Sequence, residues 1–268
     1  MFSLLTLNIF HGILLDRGRM DRLAYVISYI KDRRDKLPIV MLQEVFRGFS
    51  IGDALSALKK ELGGFYHISY ARAGGLPYLY EVGQATLSRF PVLRQRKYPV
   101  PSGRWRCILF TEIAAPGFRL HAYNAHIGGT AQEMGEVLAI ANSLSKPHAM
   151  DIIMGDFNWD YMNETRNLVL SEMYGFKVAG SGPTATLADN MAQRAEYREA
   201  IDFSLYRNAP SDTVIRARRV LTGHVRGRRI SDHAGVVCTF FRQPFAAEVT
   251  PSSHWENRAE TPLMIALH

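Results

Sequence analysis

The sequence has few cysteines and lacks a long hydrophobic run. Its two cysteines, Cys107 and Cys238, lie in apolar segments typical of strands, which excludes a disulfide framework and predicts two reduced core thiols. No stretch approaches the roughly 18 consecutive apolar residues that indicate a transmembrane helix. The first residues, MFSLLTLNIFHG, lack the basic lead-in and cleavage pattern of a signal peptide. Together these absences favour a cytoplasmic globular protein.

The charge balance is positive. The formal net charge is +7 over 268 residues, and this favours an anionic partner such as nucleic acid, a phospholipid surface or a phosphorylated small molecule. Arginines concentrate between Arg216 and Arg229. A solvated basic loop is an equally good interpretation of such a run, because charge runs usually serve solubility.

Buried strands alternate with helices along the chain, which predicts an α/β architecture. Helical spacing covers residues 21–30, 51–62, 130–144 and 163–173. Apolar runs and turn signals predict strands over 3–8, 38–43, 65–70, 83–87, 92–98, 105–113, 118–124, 151–154, 201–206, 214–221 and 235–241. Periodicity is lost after Pro244, so we predict one domain over residues 1–244 and a loosely held tail over 245–268.

Several of the predicted strands end in a single polar residue. Asn8, Glu44, His126 and Asp156 each follow an apolar run at its carboxyl end. In α/β sheets this is where sites form, since the strands give rigid support and the loops give access. We therefore expect these four side chains to lie at one edge of the fold.

Glu44 and Asn8 are oxygen donors of the kind that hard cations prefer. A carboxylate leaving a buried strand can hold Mg²⁺, and Asn8 can supply a neutral amide oxygen beside it. Taken singly, either residue is also typical of a helix or turn cap. The pairing of the two at strand ends favours a metal site.

The run Met154-Gly155-Asp156-Phe157-Asn158 places a carboxylate and an amide two residues apart. In an extended chain both point to the same side, so both can reach one reacting centre. Asp156 can orient or deprotonate a water, and Asn158 can donate to a phosphoryl oxygen. An Asx-turn at a strand end is the alternative interpretation.

Ser231-Asp232-His233 brings another carboxylate next to an imidazole. His233 can stabilise negative charge on a phosphoryl group, and it needs an acidic partner to fix its tautomer. Asp202 lies inside an apolar strand, where an unpaired carboxylate is costly to bury. We therefore predict that Asp202 pairs with His233.

In order and spacing, these motifs resemble the endonuclease/exonuclease/phosphatase superfamily, which contains DNase I, abasic-site endonucleases, neutral sphingomyelinases and inositol-polyphosphate 5-phosphatases. The resemblance implies a four-layered α/β sandwich with two central mixed β-sheets flanked by helices, and a Mg²⁺ or Mn²⁺ site at one edge. It runs from about residue 3 to 241 and is carried by Asn8, Gln43-Glu44, GQATLSRFP at 83–91, Asn124-Ala125-His126, Gly155-Asp156-Phe157-Asn158, Ile201-Asp202-Phe203 and Ser231-Asp232-His233.

The resemblance also implies a role for each site residue. The metal ligands would be Glu44, with Asn8 and Asp232 beside it. Asp156 would orient the attacking water, Asn158 would bind the phosphate, and Asp202 would be the acidic partner of the last histidine. His126 and His233 would stabilise the transition state, and Glu81 and Arg104 are supporting candidates.

The expected activity is metal-dependent hydrolysis of a phosphodiester, in nucleic acid or in phospholipid. The segment at Asn124-Ala125-His126-Ile127 departs from the signature of abasic-site endonucleases, whereas Leu42-Gln43-Glu44-Val45-Phe46 is similar to bacterial phosphodiesterases, including sphingomyelinase-like ones. A phosphomonoesterase acting on inositols or lipids is an alternative. A further alternative is a catalytically silent protein that binds nucleic acid or membrane on the same scaffold.

Overall fold

Two six-stranded β-sheets form the centre of the molecule. The computed structural model describes residues 2–10, 18–48, 53–76, 79–103, 105–159, 172–179, 186–188 and 197–242. Its helices are α1 (Arg19–Asp32), α2 (Ala54–Leu62) and α3 (Ala131–Leu144). Its strands are β1 (Phe2–Asn8), β2 (Ile39–Gly48), β3 (His67–Gly74), β4 (Tyr80–Ser88), β5 (Val92–Pro99), β6 (Cys107–Ala115), β7 (Phe118–His126), β8 (Ala149–Asp156), β9 (Lys177–Val178), β10 (Leu187–Ala188), β11 (Tyr197–Glu199), β12 (Asp202–Arg207), β13 (Thr213–Val220), β14 (His224–Val225), β15 (Arg228–Arg229) and β16 (Gly235–Arg242).

The strand order explains how distant motifs meet. The first sheet runs β13-β16-β1-β2-β4-β3 and the second runs β5-β6-β7-β8-β12-β9. The pairs β1·β2 and β7·β8 are parallel, and the other pairs within the two sheets are antiparallel. Parallel neighbours bring their carboxyl ends to the same edge, so each sheet presents two strand ends side by side at one end of the molecule.

The sheets pack face to face with helices outside. Along β2, Val40 and Leu42 face the layer of α1 and α2, whereas Ile39 and Met41 face the second sheet. The outer face of the second sheet packs against α3 through Val137 and neighbouring apolar side chains. Such strands are buried on both faces, which is why they appear in the sequence as continuous apolar runs. The predicted four-layered α/β sandwich is confirmed.

The helix starts follow from capping chemistry. The Asp53 carboxylate accepts a hydrogen bond from the Ser56 backbone N–H, so α2 begins at Ala54, later than the predicted residue 51. Thr130 and Glu133 form a capping box at the start of α3. None of the helices in the described ranges is long and apolar enough to cross a membrane.

Some predictions fall outside the described residues. These are the tail over 245–268, most of the predicted helix over 163–173, and Arg104. Both cysteines are buried free thiols, as predicted. Burial raises the pKa of Cys107 to about 11 and that of Cys238 to about 12, so both thiols stay protonated at neutral pH.

Candidate active site

The predicted site residues of the second sheet lie in one row across its edge. Backbone register pairs His126 of β7 with Asp156 of β8, and Asp156 with Asp202 of β12. All three are at most 5% exposed. We call this end of the sandwich, with the carboxyl ends of β1 and β2 opposite, the site end.

Asn8 links the two sheets at the site end. Its Nδ2 donates to Glu44 Oε1 at 3.2 Å and to Asp156 Oδ2 at 2.9 Å, while its Oδ1 accepts from the Phe10 backbone N–H at 2.9 Å. The amide nitrogen therefore bridges two carboxylates. In this arrangement Asn8 holds Glu44 in place, while its oxygen accepts one hydrogen bond from the backbone and keeps a second lone pair.

Asn158 follows Asp156 through a tight turn. Its backbone N–H donates to Asp156 Oδ1 at 2.9 Å, which is the Asx-turn expected from the spacing. Its side-chain Nδ2 donates to the Ile127 carbonyl at 2.8 Å, and the side chain is exposed at the rim. The Asx-turn and an Asn158 side chain that faces a phosphate were alternative interpretations of this motif, and the structure is compatible with both at once.

His233 is held by carboxylates on several sides. Its Nδ1 lies 2.8 Å from Asp202 Oδ2, and its Nε2 lies 3.7 Å from Asp156 Oδ2 and 3.9 Å from Asp232 Oδ1. Burial alone would lower the pKa of His233, but these three carboxylates raise it well above its usual value. His233 is therefore a protonated imidazolium at neutral pH.

The Ser231 hydroxyl fixes the loop that carries His233. It donates to the Asn8 carbonyl at 2.7 Å and accepts from the His233 backbone N–H at 3.1 Å. The end of β1 and the triplet Ser231-Asp232-His233 are thus one unit, although more than 220 residues separate Ser231 from Asn8.

His126 is in the opposite protonation state. Arg106 Nη1 lies 2.6 Å from His126 Nε2, and Asp156 Oδ2 lies 3.4 Å from the same nitrogen. Burial, with help from the positive charges of Arg106 and His233, lowers the pKa of His126 to about 4, against an opposing effect of Asp156. Asp156 therefore lies between a neutral and a charged imidazole.

Sequence reasoning missed Arg106. It falls at the start of the strand predicted over 105–113, where a single arginine carries no periodic signal, and in the structure it directly precedes β6. The only available clue was its position directly before β6, whose first residue, Cys107, pairs with His126. Among the described residues near the site, Arg106 is a permanently charged group in contact with a site histidine.

The two predicted supporting residues are Glu81, which forms ion pairs away from His126, and Arg104, which is outside the described residues. Glu81 lies 3.5 Å from Arg47 and 3.8 Å from Arg72, in ion pairs at the rim. The neighbour of His126 in the structure is Arg106, whereas Arg104 is outside the described residues. Trp159, which directly follows Asn158, is 5% exposed and packs in the core beside α3.

The carboxylates at the site end crowd one another. Burial raises the pKa of Glu44, and the charges of Asp156 and Asp232 raise it further. Burial also raises the pKa of Asp232, with a further contribution from Asp156. A divalent cation would offset this negative charge, and an all-oxygen donor set suits Mg²⁺ or Mn²⁺.

A second group of possible ligand atoms, on Asp156, Asp202 and His233, lies within 4.8 Å of one another. Two of these atoms already contact each other, since His233 Nδ1 lies 2.8 Å from Asp202 Oδ2. Glu44 and Asp232 offer further carboxylate oxygens of the kind that hard divalent cations prefer.

Backbone strain concentrates around the same residues. Four non-glycine residues there have φ in the left-handed region: Phe10 at 46°, Glu44 at 55°, Trp105 at 58° and Asn158 at 49°. Glu44 also lies within the irregularity where the β2·β4 register shifts between Leu42 and Val45. Such conformations persist only where the surrounding structure imposes them, and they are typical of functional sites.

Gly155 lets β7 and β8 approach each other closely beside Asp156. Its φ is 155°, and a Cβ there would lie 1.8 Å from the Ala125 carbonyl oxygen. The glycine of the Gly155-Asp156-Phe157-Asn158 motif is therefore a steric requirement of the row that contains His126 and Asp156.

Comparison with known proteins identifies the family. A sequence profile described as "Endonuclease/Exonuclease/phosphatase family" matches residues 5–233. The chain belongs to this family. No curated protein matches the sequence.

Solved structures share the fold at low sequence identity. An endonuclease/exonuclease/phosphatase family protein from Leptotrichia buccalis is 15% identical with a TM-score of 0.71, covering 90% of this chain and 100% of its own. SmcL is 17% identical with a TM-score of 0.71, covering 88% of this chain and 98% of its own. TDP2 from D. rerio, complexed with a single-strand DNA product, is 18% identical with a TM-score of 0.66, covering 90% and 98%. The chain therefore has the phosphoesterase fold of its family.

Proposed function

We propose that this family member is a divalent-metal-dependent phosphodiesterase. The observation that carries the proposal is the position of Asp156, which lies 3.4 Å from the neutral His126 and 3.7 Å from the charged His233. A carboxylate in that position can orient a water, while the imidazolium supplies positive charge for a phosphoryl group. Such an arrangement suits in-line attack on a phosphoester.

In this proposal Glu44 and Asp232 hold Mg²⁺ or Mn²⁺. Their crowded, half-buried carboxylates fit a hard divalent cation, and Asn8 fixes Glu44 through its amide nitrogen. The bound cation supplies Lewis-acid charge for the substrate phosphate.

The remaining side chains divide the binding and proton chemistry. Asp156 accepts hydrogen bonds from Asn8 and from the Asn158 backbone, so its carboxylate is fixed for orienting a water. Asn158 and Arg106 bind phosphoryl oxygens at the rim. Asp202 keeps His233 protonated, and His126, fixed by Arg106, offers a neutral imidazole on the other side.

The test is hydrolysis of bis(p-nitrophenyl) phosphate by Glu44→Ala, Asp156→Ala and His233→Ala in the presence of Mg²⁺ or Mn²⁺. Each change removes a group that acts on the reacting phosphate, so we expect a loss of about 100-fold or more in kcat. Glu61→Ala, at a partly exposed position on α2, is the matched control. Retained metal-dependent hydrolysis in all three site variants would refute the proposal.

Calorimetric titration with Mg²⁺ gives a second readout that does not depend on turnover. Wild-type protein should bind the metal, and Glu44→Ala should weaken that binding. A silent nucleic-acid- or membrane-binding protein on this scaffold does not need the metal, so failure of wild type to bind Mg²⁺ and Mn²⁺ would favour that alternative.

Nucleic acid is one candidate substrate, because one flank of the molecule is basic. Arg216 and Arg218 are exposed on the edge strand β13, and the β14–β15 hairpin beyond it carries Arg226 and Arg228. The related fold of TDP2 binds a single-strand DNA product. Cleavage of plasmid DNA or RNA, compared with phosphomonoesters such as phosphoinositides, tests this assignment against a phosphomonoesterase.

A further inference from the structure

Three exposed apolar side chains lie together on the other flank of the site end. Leu76 is 50% exposed, Leu79 is 65% exposed and Trp105 is 45% exposed. The Leu79 backbone N–H donates to the Leu76 carbonyl at 3.2 Å, so the two leucines lie close together. The Trp105 ring covers Gly74, where a Cβ would lie 2.3 Å from the indole. We call these three residues the lip patch.

The lip patch adjoins the proposed catalytic residues. Trp105 directly precedes Arg106, whose guanidinium contacts His126 at 2.6 Å. Leu79 directly precedes β4, which pairs with the end of β2 that carries Glu44. A surface that contacts the patch is therefore brought up against the row containing His126 and Asp156.

Basic side chains lie on the two strands that lead to the patch. Arg96 and Lys97 are exposed near the end of the edge strand β5, whose last residue, Pro99, pairs with Cys107 beside Arg106. Arg72, at the end of β3, has a side chain that is 40% exposed and lies 3.8 Å from Glu81. An apolar patch bordered by cations is complementary to an anionic membrane surface, which offers apolar chains beneath negative headgroups.

We propose that the lip patch docks the site end onto an anionic phospholipid bilayer and so presents lipid phosphodiesters to the active site. The two leucines favour this partner over nucleic acid, because they lack the planar face on which bases stack, whereas leucine and tryptophan both partition into the bilayer interface. The assignment of lipid as substrate rests on the proposed phosphodiesterase function. Docking itself is measured without turnover.

The experiment is co-sedimentation of the full-length protein with sucrose-loaded vesicles of phosphatidylcholine and phosphatidylglycerol at 3:1. We expect wild type to bind these vesicles, and pure phosphatidylcholine vesicles more weakly. The double variant Leu76→Glu/Leu79→Glu should bind at least about tenfold more weakly, since it replaces the inserted apolar groups with like charges. Leu93→Glu is the matched control, because Leu93 is 49% exposed on β5 but near its other end.

Tryptophan emission provides an independent signal of insertion. Anionic vesicles should shift the emission of wild type to shorter wavelength, and Trp105→Phe should lack the shift. Equal vesicle binding by wild type, the double glutamate variant and Leu93→Glu would overturn the proposal. Loss of single-stranded oligonucleotide binding in the double variant, with vesicle binding unchanged, would also overturn it in favour of a nucleic-acid surface.

Hydrolysis of the water-soluble bis(p-nitrophenyl) phosphate separates this inference from the proposed function. The double glutamate variant should retain wild-type kcat on that substrate and lose hydrolysis of vesicle phospholipid. Wild type that binds vesicles but hydrolyses neither substrate supports docking while contradicting the phosphodiesterase. A double variant that hydrolyses vesicle phospholipid as fast as wild type contradicts docking as the route to substrate.

Discussion

The same three strands carry a charged row at each of their ends, and the rows differ in kind. At the site end, His126, Asp156 and Asp202 lie side by side on β7, β8 and β12. Five residues away along each strand, His121, Asp151 and Arg207 form the corresponding row at the far end. The two rows match in histidine and aspartate and differ on β12, where an arginine replaces an aspartate.

That difference separates a structural ion network from the row that we propose to be catalytic. At the far end, Asp151 accepts from Arg207 Nε at 2.7 Å and from Ser145 Oγ at 2.7 Å, and it lies 3.0 Å from His121 Nδ1. Burial alone would raise the pKa of Asp151, but these hydrogen bonds lower it. At the site end burial raises the pKa of Glu44 and of Asp232, and the charge of Asp156 raises both further, so a bound cation would offset the cost of ionising them.

Asp151→Asn should break the far-end row and produce the largest loss of stability. It leaves the buried guanidinium of Arg207 without its carboxylate, which typically costs about 3–5 kcal/mol. Urea unfolding measures the free energy, and kcat of the folded protein should be unchanged.

Asp156→Asn is the matched variant at the site end, five residues along the same strand. It removes one of several crowded carboxylates, so unfolding free energy should change by less than about 1 kcal/mol while kcat falls about 100-fold or more. Similar losses of stability in both variants would show that the two rows do not differ in kind.

Arg106→Gln should lower kcat/KM for a soluble phosphodiester about 10- to 100-fold, because it removes a charged donor beside His126. Arg106→Lys retains the charge and should lose less. The Ki of inorganic phosphate should rise in parallel, a change that a purely structural role would not produce. Arg119→Gln, at an exposed far-end arginine paired with Glu112, is the control, and equal effects in the two glutamine variants would contradict the assignment.

The dependence of stability on pH, measured without metal, should have opposite sign at the two ends. Asp151 has a folded pKa below its ordinary 3.8, so its contribution is present above that value and is lost as the pH falls through the folded pKa. Glu44 has a folded pKa above its ordinary 4.5, so its ionisation destabilises the fold at neutral pH, and acidification through the raised pKa relieves this penalty.

Urea midpoints between neutral pH and about pH 3 measure both effects. Asp151→Asn should remove the loss of stability in acid. Glu44→Gln should remove the gain in stability that occurs at higher pH, before that loss begins. If both variants keep the wild-type profile, these two carboxylates do not control the pH dependence.

The sequence predicted the parts of the site that have a local pattern. An apolar run ends at each of four site residues, Asn8, Glu44, His126 and Asp156. A single sequence reveals this pattern because the strands are buried on both faces and are therefore continuously apolar. The contact between Asp202 and His233 followed from a burial argument, since a carboxylate inside an apolar strand requires a partner. The layers of the sandwich followed from the family resemblance.

The residues that were missed depend on register and strand order. Arg106 is adjacent to the site only because Cys107 pairs with His126. Arg207 meets Asp151 only because β12 lies beside β8. The β14–β15 hairpin lies within the arginine-rich segment, where its two-residue strands are too short to show alternation. None of these contacts produces a periodic pattern that can be detected in a single sequence.

The left-handed conformation of Glu44 sets a limit on how stable this protein can become without losing its chemistry. Glycine would adopt that φ of 55° without a steric penalty, so the backbone there favours a residue that the proposed metal site cannot use. If the proposed metal site is correct, Glu44→Gly should raise the free energy of unfolding and abolish metal binding. Thermostabilising changes that spare activity should therefore accumulate in the far-end row and the helices, where packing and charge pairing act in the same direction.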